Sequence, residues 1–224
     1  MKRIIACIIS AAVLLATASA PGRTLKASGA NWQEGVHYER ISNDPVGKTA
    51  DKIEILEFFQ YTCPHCYTVE PFVTFLKQRV GDSATVTRVH VVYRPYQRSL
   101  ARLYYTLQAL GRIDSPDRND LHHDIFDMFH RLGQPIVSEN DDESFRLHLE
   151  FATSAGIDPE KFTSVYRSPE IDASIKRAQE LTRAYKVAGT PTFVVAGKYK
   201  PKHVQSEREL VTLLSDLVVL AQKR

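Results

Sequence analysis

Two cysteines set the terms for this fold. Cys63 and Cys66 stand two residues apart in Cys63-Pro64-His65-Cys66, and the third cysteine, Cys7, lies in an N-terminal apolar run. A ring closed over two intervening residues removes almost no entropy from the unfolded chain, so a bridge here would staple nothing. Three cysteines also fall short of a disulfide-built scaffold and of an all-cysteine zinc site. A hydrophobic core must therefore hold the molecule, and 224 residues that are 43% hydrophobic suffice to build one. The cysteine pair itself has to be explained by chemistry.

The first twenty residues follow the pattern of a secretory signal peptide. Lys2 and Arg3 are basic, Ile4 to Ala16 is apolar, and Ala18-Ser19-Ala20 is a small-residue cleavage site, with the cut after Ala20 or Ala18. The apolar run is shorter than the ~20 residues a membrane span needs. Cys7 sits mid-run rather than at the cut, which is the wrong place for a lipid anchor. Without Lys2 and Arg3 the mature chain carries 27 basic and 26 acidic side chains. So even a balance argues against a nucleic-acid binder that works by neutralising phosphates. The expectation is an exported, soluble protein whose only remaining cysteines are Cys63 and Cys66.

Residues 21–50 are polar and turn-rich and read as an extended leader. Gly47-Lys48-Thr49 resembles the end of a phosphate loop, but no strand precedes it and Ser42 stands where the first glycine belongs. Ile53 to Phe59 is apolar on both alternating faces, the mark of a central strand covered on each side. Cys63 then opens a helix, with Pro64 at its first position, Val69, Phe72, Val73 and Leu76 at helical spacing, and Gly81 at its end. Pro71 is expected to kink it. Ala84 to Tyr93 reads as a second strand, parallel to the first.

Four amphipathic helices are expected next: one through Leu100 to Leu110, one through Leu121 to Leu132, one through Phe145 to Ala152, and a long one after Ser168-Pro169. Asp158-Pro159 is a further helix-start signal. Thr192 to Ala196 and Lys198 to Lys200 form a hairpin around Ala196-Gly197, and Ser206 to Ala221 a last helix. The simplest topology is an α/β sheet domain with a helical subdomain inserted.

A cysteine where a strand hands over to a helix faces orphan N–H groups and the positive end of the helix dipole, which favour a thiolate at Cys63. His65 can add a donor or a positive charge, and Cys66, one turn further in, is expected to stay protonated longer. Metal binding is disfavoured because no second Cys/His pair lies at ligand spacing. Covalent haem is excluded because Tyr67 stands where histidine is required. Glu57 shares strand parity with Ile53, Ile55 and Phe59, so its carboxyl is expected to be buried, with a raised pKa, as a proton acceptor for Cys66. The simpler alternative is a surface glutamate near the strand end. His123, Asp127 and His130 form one helical stripe that reads as a solvated polar face rather than a metal site.

These residues resemble the thioredoxin superfamily and, within it, the DsbA-like family of exported thiol:disulfide interchange proteins. The likeness covers nearly the whole mature chain: Tyr38-Glu39-Arg40-Ile41, Leu56-Glu57-Phe58-Phe59, Cys63-Pro64-His65-Cys66-Tyr67, Gly189-Thr190-Pro191-Thr192 and Gly197-Lys198-Tyr199. It implies a thioredoxin-like domain from 21–97 and 187–224 around a helical insert at 98–186. It implies a catalytic set of Cys63, Cys66, Pro64, His65, Glu57, Thr190 and Pro191, with Thr190-Pro191 as a cis-proline motif beside the disulfide. It also implies no cofactor other than the Cys63–Cys66 disulfide. The implied setting is the periplasm, with a monomeric enzyme oxidising exported proteins that carry free thiols and being reoxidised by a membrane-embedded, DsbB-like partner. A disulfide isomerase or reductase on the same fold is the enzymatic alternative. A metal-handling or chaperone-like binding module is the non-enzymatic one.

Overall fold

The computed structural model describes residues 25–41, 52–114, 120–202 and 204–223. The expected signal peptide and Gly47-Lys48-Thr49 lie outside the described residues. The sheet is built around β2 (Ile53–Phe59), which runs parallel to β3 (Ala84–His90) on one side and antiparallel to β4 (Thr192–Val195) on the other. Two short strands, β5 (Tyr199–Pro201) and β1 (Tyr38–Arg40), complete the order β1-β5-β4-β2-β3. The double-sided apolarity of β2 is used as expected. Ile55 joins a cluster with Val69, Val73 and Leu76 of α1 (Pro64–Val80) and Leu214 of α7 (Glu207–Gln222). Leu56 and Phe58 face the second cluster, built with the helices that lie between β3 and β4.

Those helices are α2 (Pro95–Ala109), α3 (His122–His130), α4 (Asp141–Ser154), α5 (Pro159–Tyr166) and α6 (Pro169–Ala184). They number five rather than four, because the Asp158-Pro159 signal starts a helix of its own: the Asp158 carboxylate accepts from Lys161 N at 2.8 Å. At Ser168 the cap position is occupied but the hydroxyl accepts no helix N–H. α1 runs as continuous α-helix through Pro71.

Two expectations need correction. β3 stops at His90, not Tyr93, because the backbone N–H groups of Tyr93 and Arg94 both donate to Gln97 Oε1 at 2.8 Å. That capping box starts α2 at Pro95. The leader is also more than an extended strap. Residues 38–40 pair with β5 as an edge strand, and Ser28 N and Trp32 Nε1 each reach Asp216 on α7 at 2.8 Å.

The β4–β5 turn is tight: Lys198 N donates to Val195 O at 3.0 Å, and Ala196 and Gly197 both have positive φ, 55° and 66°. This hairpin geometry suits glycine or asparagine, and alanine is strained in it. Ala196→Gly is therefore expected to stabilise the fold by about 0.5–1 kcal/mol, the relief of strain exceeding the entropy glycine adds to the unfolded chain. Urea unfolding of the two proteins side by side checks it.

Candidate active site

β2 ends at Phe59, a turn closes with Cys63 N donating to Gln60 O at 3.2 Å, and Cys63 takes the cap position of α1. Its backbone is extended, as a cap residue's must be, and Pro64 follows at a position where the missing N–H costs nothing. Cys63 Sγ accepts from Cys66 N at 3.4 Å. The Cys63 thiol is lowered to about 5. The hydrogen bond from the Cys66 thiol is the largest cause, burial opposes it, and the Thr190 side chain and the N–H groups of Cys66 and His65 lower it further. The imidazole of His65 is exposed, so the contribution visible from this residue is its backbone N–H. Cys66 is fully buried, and burial together with its bond to Cys63 pushes its thiol far up. The two sulfurs thus differ as the helix-start argument requires, one ionised and reachable, the other protonated and enclosed.

Thr190-Pro191 is cis, and Thr190 O lies 3.2 Å from Cys63 Sγ across 127 positions of sequence, a bond that the sulfur donates only in its protonated form. Glu57 is 1% exposed and faces Arg88 of β3 in register, with Arg88 Nε 3.2 Å from its carboxylate. Burial pushes the Glu57 carboxyl up to about 7, against the pull of Arg88 and with the added push of Glu70. Arg88 is also ion-paired with Glu70 of α1 and with Asp114, which Lys77 holds in turn. Glu57 bonds directly to Arg88 and not to Cys66.

Several residues near the site were not singled out beforehand. Arg88 had a legible signal, a formal charge in a β-branched strand that carries no other Lys, Arg, Asp or Glu. Tyr93 had none: it is a half-exposed aromatic whose hydroxyl donates to Val187 O at 3.1 Å, and burial, with Cys66 and Cys63 nearby, raises its pKa. The α3 stripe is not simply a solvated face. Asp127 is 9% exposed and accepts from Tyr67 Oη at 2.8 Å, because α3 packs against the first turns of α1. Among the described residues no three His, Cys, Asp or Glu side chains are grouped to hold a metal.

The family model described as Thioredoxin matches residues 42–215. The Thiol:disulfide interchange protein DsbA of Bordetella parapertussis is 32% identical over 213 residues, 94% of this chain and 96% of that protein. The chain belongs to the DsbA family of thiol:disulfide oxidoreductases. The DsbA of Pseudomonas aeruginosa is 28% identical over 84% of this chain and 82% of its own. Among solved structures, a P. aeruginosa DsbA variant superposes with a TM-score of 0.75 at 26% identity, covering 87% of this chain and 100% of that one. The oxidoreductase NmDsbA1 of N. meningitidis gives 0.68 at 30% identity, covering 86% and 96%. The fold is thus the thioredoxin-like α/β fold with a helical insert between β3 and β4. The redox group of a DsbA-family protein is its own disulfide, with no bound cofactor.

Proposed function

We propose that this protein is a periplasmic dithiol oxidase that donates the Cys63–Cys66 disulfide to newly exported proteins and is reoxidised by a membrane-embedded, DsbB-like partner. The observation that carries this reading is the Cys63 sulfur at the cap of α1, lowered to about 5 beside a protonated, buried Cys66. A substrate thiolate attacks Cys63 Sγ of the oxidised enzyme; the S–S bond breaks and Cys66 leaves, taking up a proton. A second substrate thiolate then attacks the substrate sulfur of the mixed disulfide and expels the Cys63 thiolate. The substrate ends as a disulfide, and its two electrons reside in the Cys63/Cys66 dithiol. A low-pKa leaving group makes the second step fast. The Thr190 backbone, beside the sulfur, suits pairing with an extended substrate segment.

The direction of transfer follows from which form the low pKa favours. Only the reduced enzyme has a thiolate, so a Cys63 pKa below that of a free thiol stabilises the reduced form. That contribution is absent below about pH 5, grows through the interval up to the free-thiol value of ~8.5, and is complete above it. At pH 7, allowing for water at a half-buried sulfur, it is worth about 2 kcal/mol, or roughly 40 mV on a two-electron potential. Equilibration with glutathione at several pH values, alongside thiolate absorbance, tests the reading. The expected result is an oxidising potential and a thiolate midpoint near 5; a potential as negative as a structural disulfide's would sink the oxidase assignment.

Glu57 is assigned to proton transfer with Cys66 through an intervening water, since Arg88 takes its direct bond. A carboxyl near 7 is an acceptor above that pH and a donor below it. Glu57→Gln is expected to slow exchange about tenfold or more and to remove a rate inflection near pH 7. Stopped-flow oxidation of a dithiol peptide across pH 6–8 measures both, and rates indistinguishable from the parent's would leave Glu57 a structural residue.

A further inference from the structure

The α3 stripe makes contacts that neither the family's redox pair nor the Glu57–Arg88 cluster accounts for. His130, at the last position of α3, has Nε2 2.8 Å from the backbone carbonyl of Tyr61. A carbonyl only accepts, so Nε2 carries the proton and donates. The same imidazole lies nearly parallel to the ring of Tyr67, with centroids 5.1 Å apart and planes 15° apart. Tyr61 stands two residues before Cys63 and Tyr67 directly follows Cys66, so one side chain touches the chain on both flanks of the tetrapeptide. Two further bonds reinforce the grip. The Tyr61 hydroxyl pairs with Nδ1 of His122, the first residue of α3, at 2.9 Å. Tyr67 Oη donates to Asp127, which Arg131 clamps through Nε at 2.9 Å and a terminal nitrogen at 2.7 Å.

We propose that His130 is a positioning residue for the exchange reaction: by holding the Tyr61 carbonyl and the Tyr67 ring, it fixes the turn that aims the first N–H groups of α1 at Cys63 Sγ. Stabilisation of a thiolate at a helix start depends on the direction of those N–H groups, which the backbone from Tyr61 to Cys63 sets. The Cys66 N–H reaches Cys63 Sγ at 3.4 Å, an ordinary length for a sulfur acceptor, and its strength depends on the N–H pointing at the sulfur, so a rotation of this turn weakens it. The helical insert thus does more than cover the sheet. Through α3 it holds the loop from which the reactive sulfur projects.

This inference rests on the exchange reading above, and its test separates the two. His130→Leu keeps bulk against Tyr67 but loses the donor, whereas His130→Gln keeps a donor. The Leu variant is expected to raise the midpoint of Cys63 alkylation by about one pH unit and to shift the glutathione equilibrium about tenfold toward the oxidised enzyme, a potential about 30 mV more negative. The Gln variant should stay close to the parent in both measurements. A folded Leu variant with the parent's midpoint and equilibrium would overturn the proposal. Nitrogen-15 NMR of the unmodified protein decides it without any substitution. The proposal requires His130 in the Nε2–H form with a resonance that moves when Cys63–Cys66 is oxidised, and an Nδ1–H form would refute it. A parent that failed to exchange with glutathione would instead sink the underlying redox reading, and the NMR result would still judge the His130 contact on its own.

Discussion

Cys66→Ala is expected to accumulate mixed disulfides with exported thiol proteins, and Cys63→Ala to accumulate none and to lose exchange altogether. The asymmetry follows from access and ionisation. Cys63 is half-buried at the helix cap and ionised above about pH 5, whereas Cys66 is fully enclosed and held protonated. An incoming thiolate therefore meets Cys63 first, and Cys66 is the sulfur that would resolve the mixed disulfide if present. In the reduced parent, alkylation of Cys63 should be half-maximal near pH 5 and flat above about pH 7. Because the Cys66 thiol is the largest cause of the low value, that midpoint should move upward in Cys66→Ala and less in Cys66→Ser, which keeps a donor. Non-reducing gels of both trapped variants and iodoacetamide rates against pH supply the measurements. Trapping on Cys66 rather than Cys63 would reverse the assignment.

The largest stability effect is expected at Arg88. Arg88 is 3% exposed and is ion-paired with Glu57, Glu70 and Asp114, of which the first two are themselves buried. Removing a buried partner leaves its counter-charges without compensation, at a cost of about 3–5 kcal/mol. Arg88→Met, which nearly fills the space, is expected to lose that much at pH 8. The sign of the pH dependence is fixed by carboxyl pKa values that burial already raises. Without Arg88 they rise further, so the folded variant binds protons that the unfolded chain releases above about pH 4.5, and its deficit grows from pH 5 to pH 8. Urea unfolding of parent and variant at the two pH values measures it. A deficit that is equal at both, or larger at pH 5, would show that the network's charges do not govern the loss.

The local grammar of this chain was readable without coordinates. The span of β2, the start of α1 at Pro64 after Cys63, the Ala196-Gly197 turn and the start of α7 after Ser206 all depend on a few neighbouring residues. Their dihedral preferences and apolar period are written into the chain itself. The burial of Glu57 was readable for the same reason, since a central strand's parity fixes which side chains are enclosed. The insert's helix count and the end of β3 were less so, because a short helix and a capping box compete with propensity over only a few residues. What lay beyond the sequence were pairings across long separations. Arg88 meets Glu57 over 31 positions and His130 meets the Tyr61 carbonyl over 69, whereas the meeting of Thr190 O with Cys63 Sγ over 127 was given by the family resemblance and not by the residues' own pattern. Each depends on how the whole sheet and its insert close on one another. A polar side chain on a helix reads alike whether it faces water or a partner, and only the packed fold decides between the two.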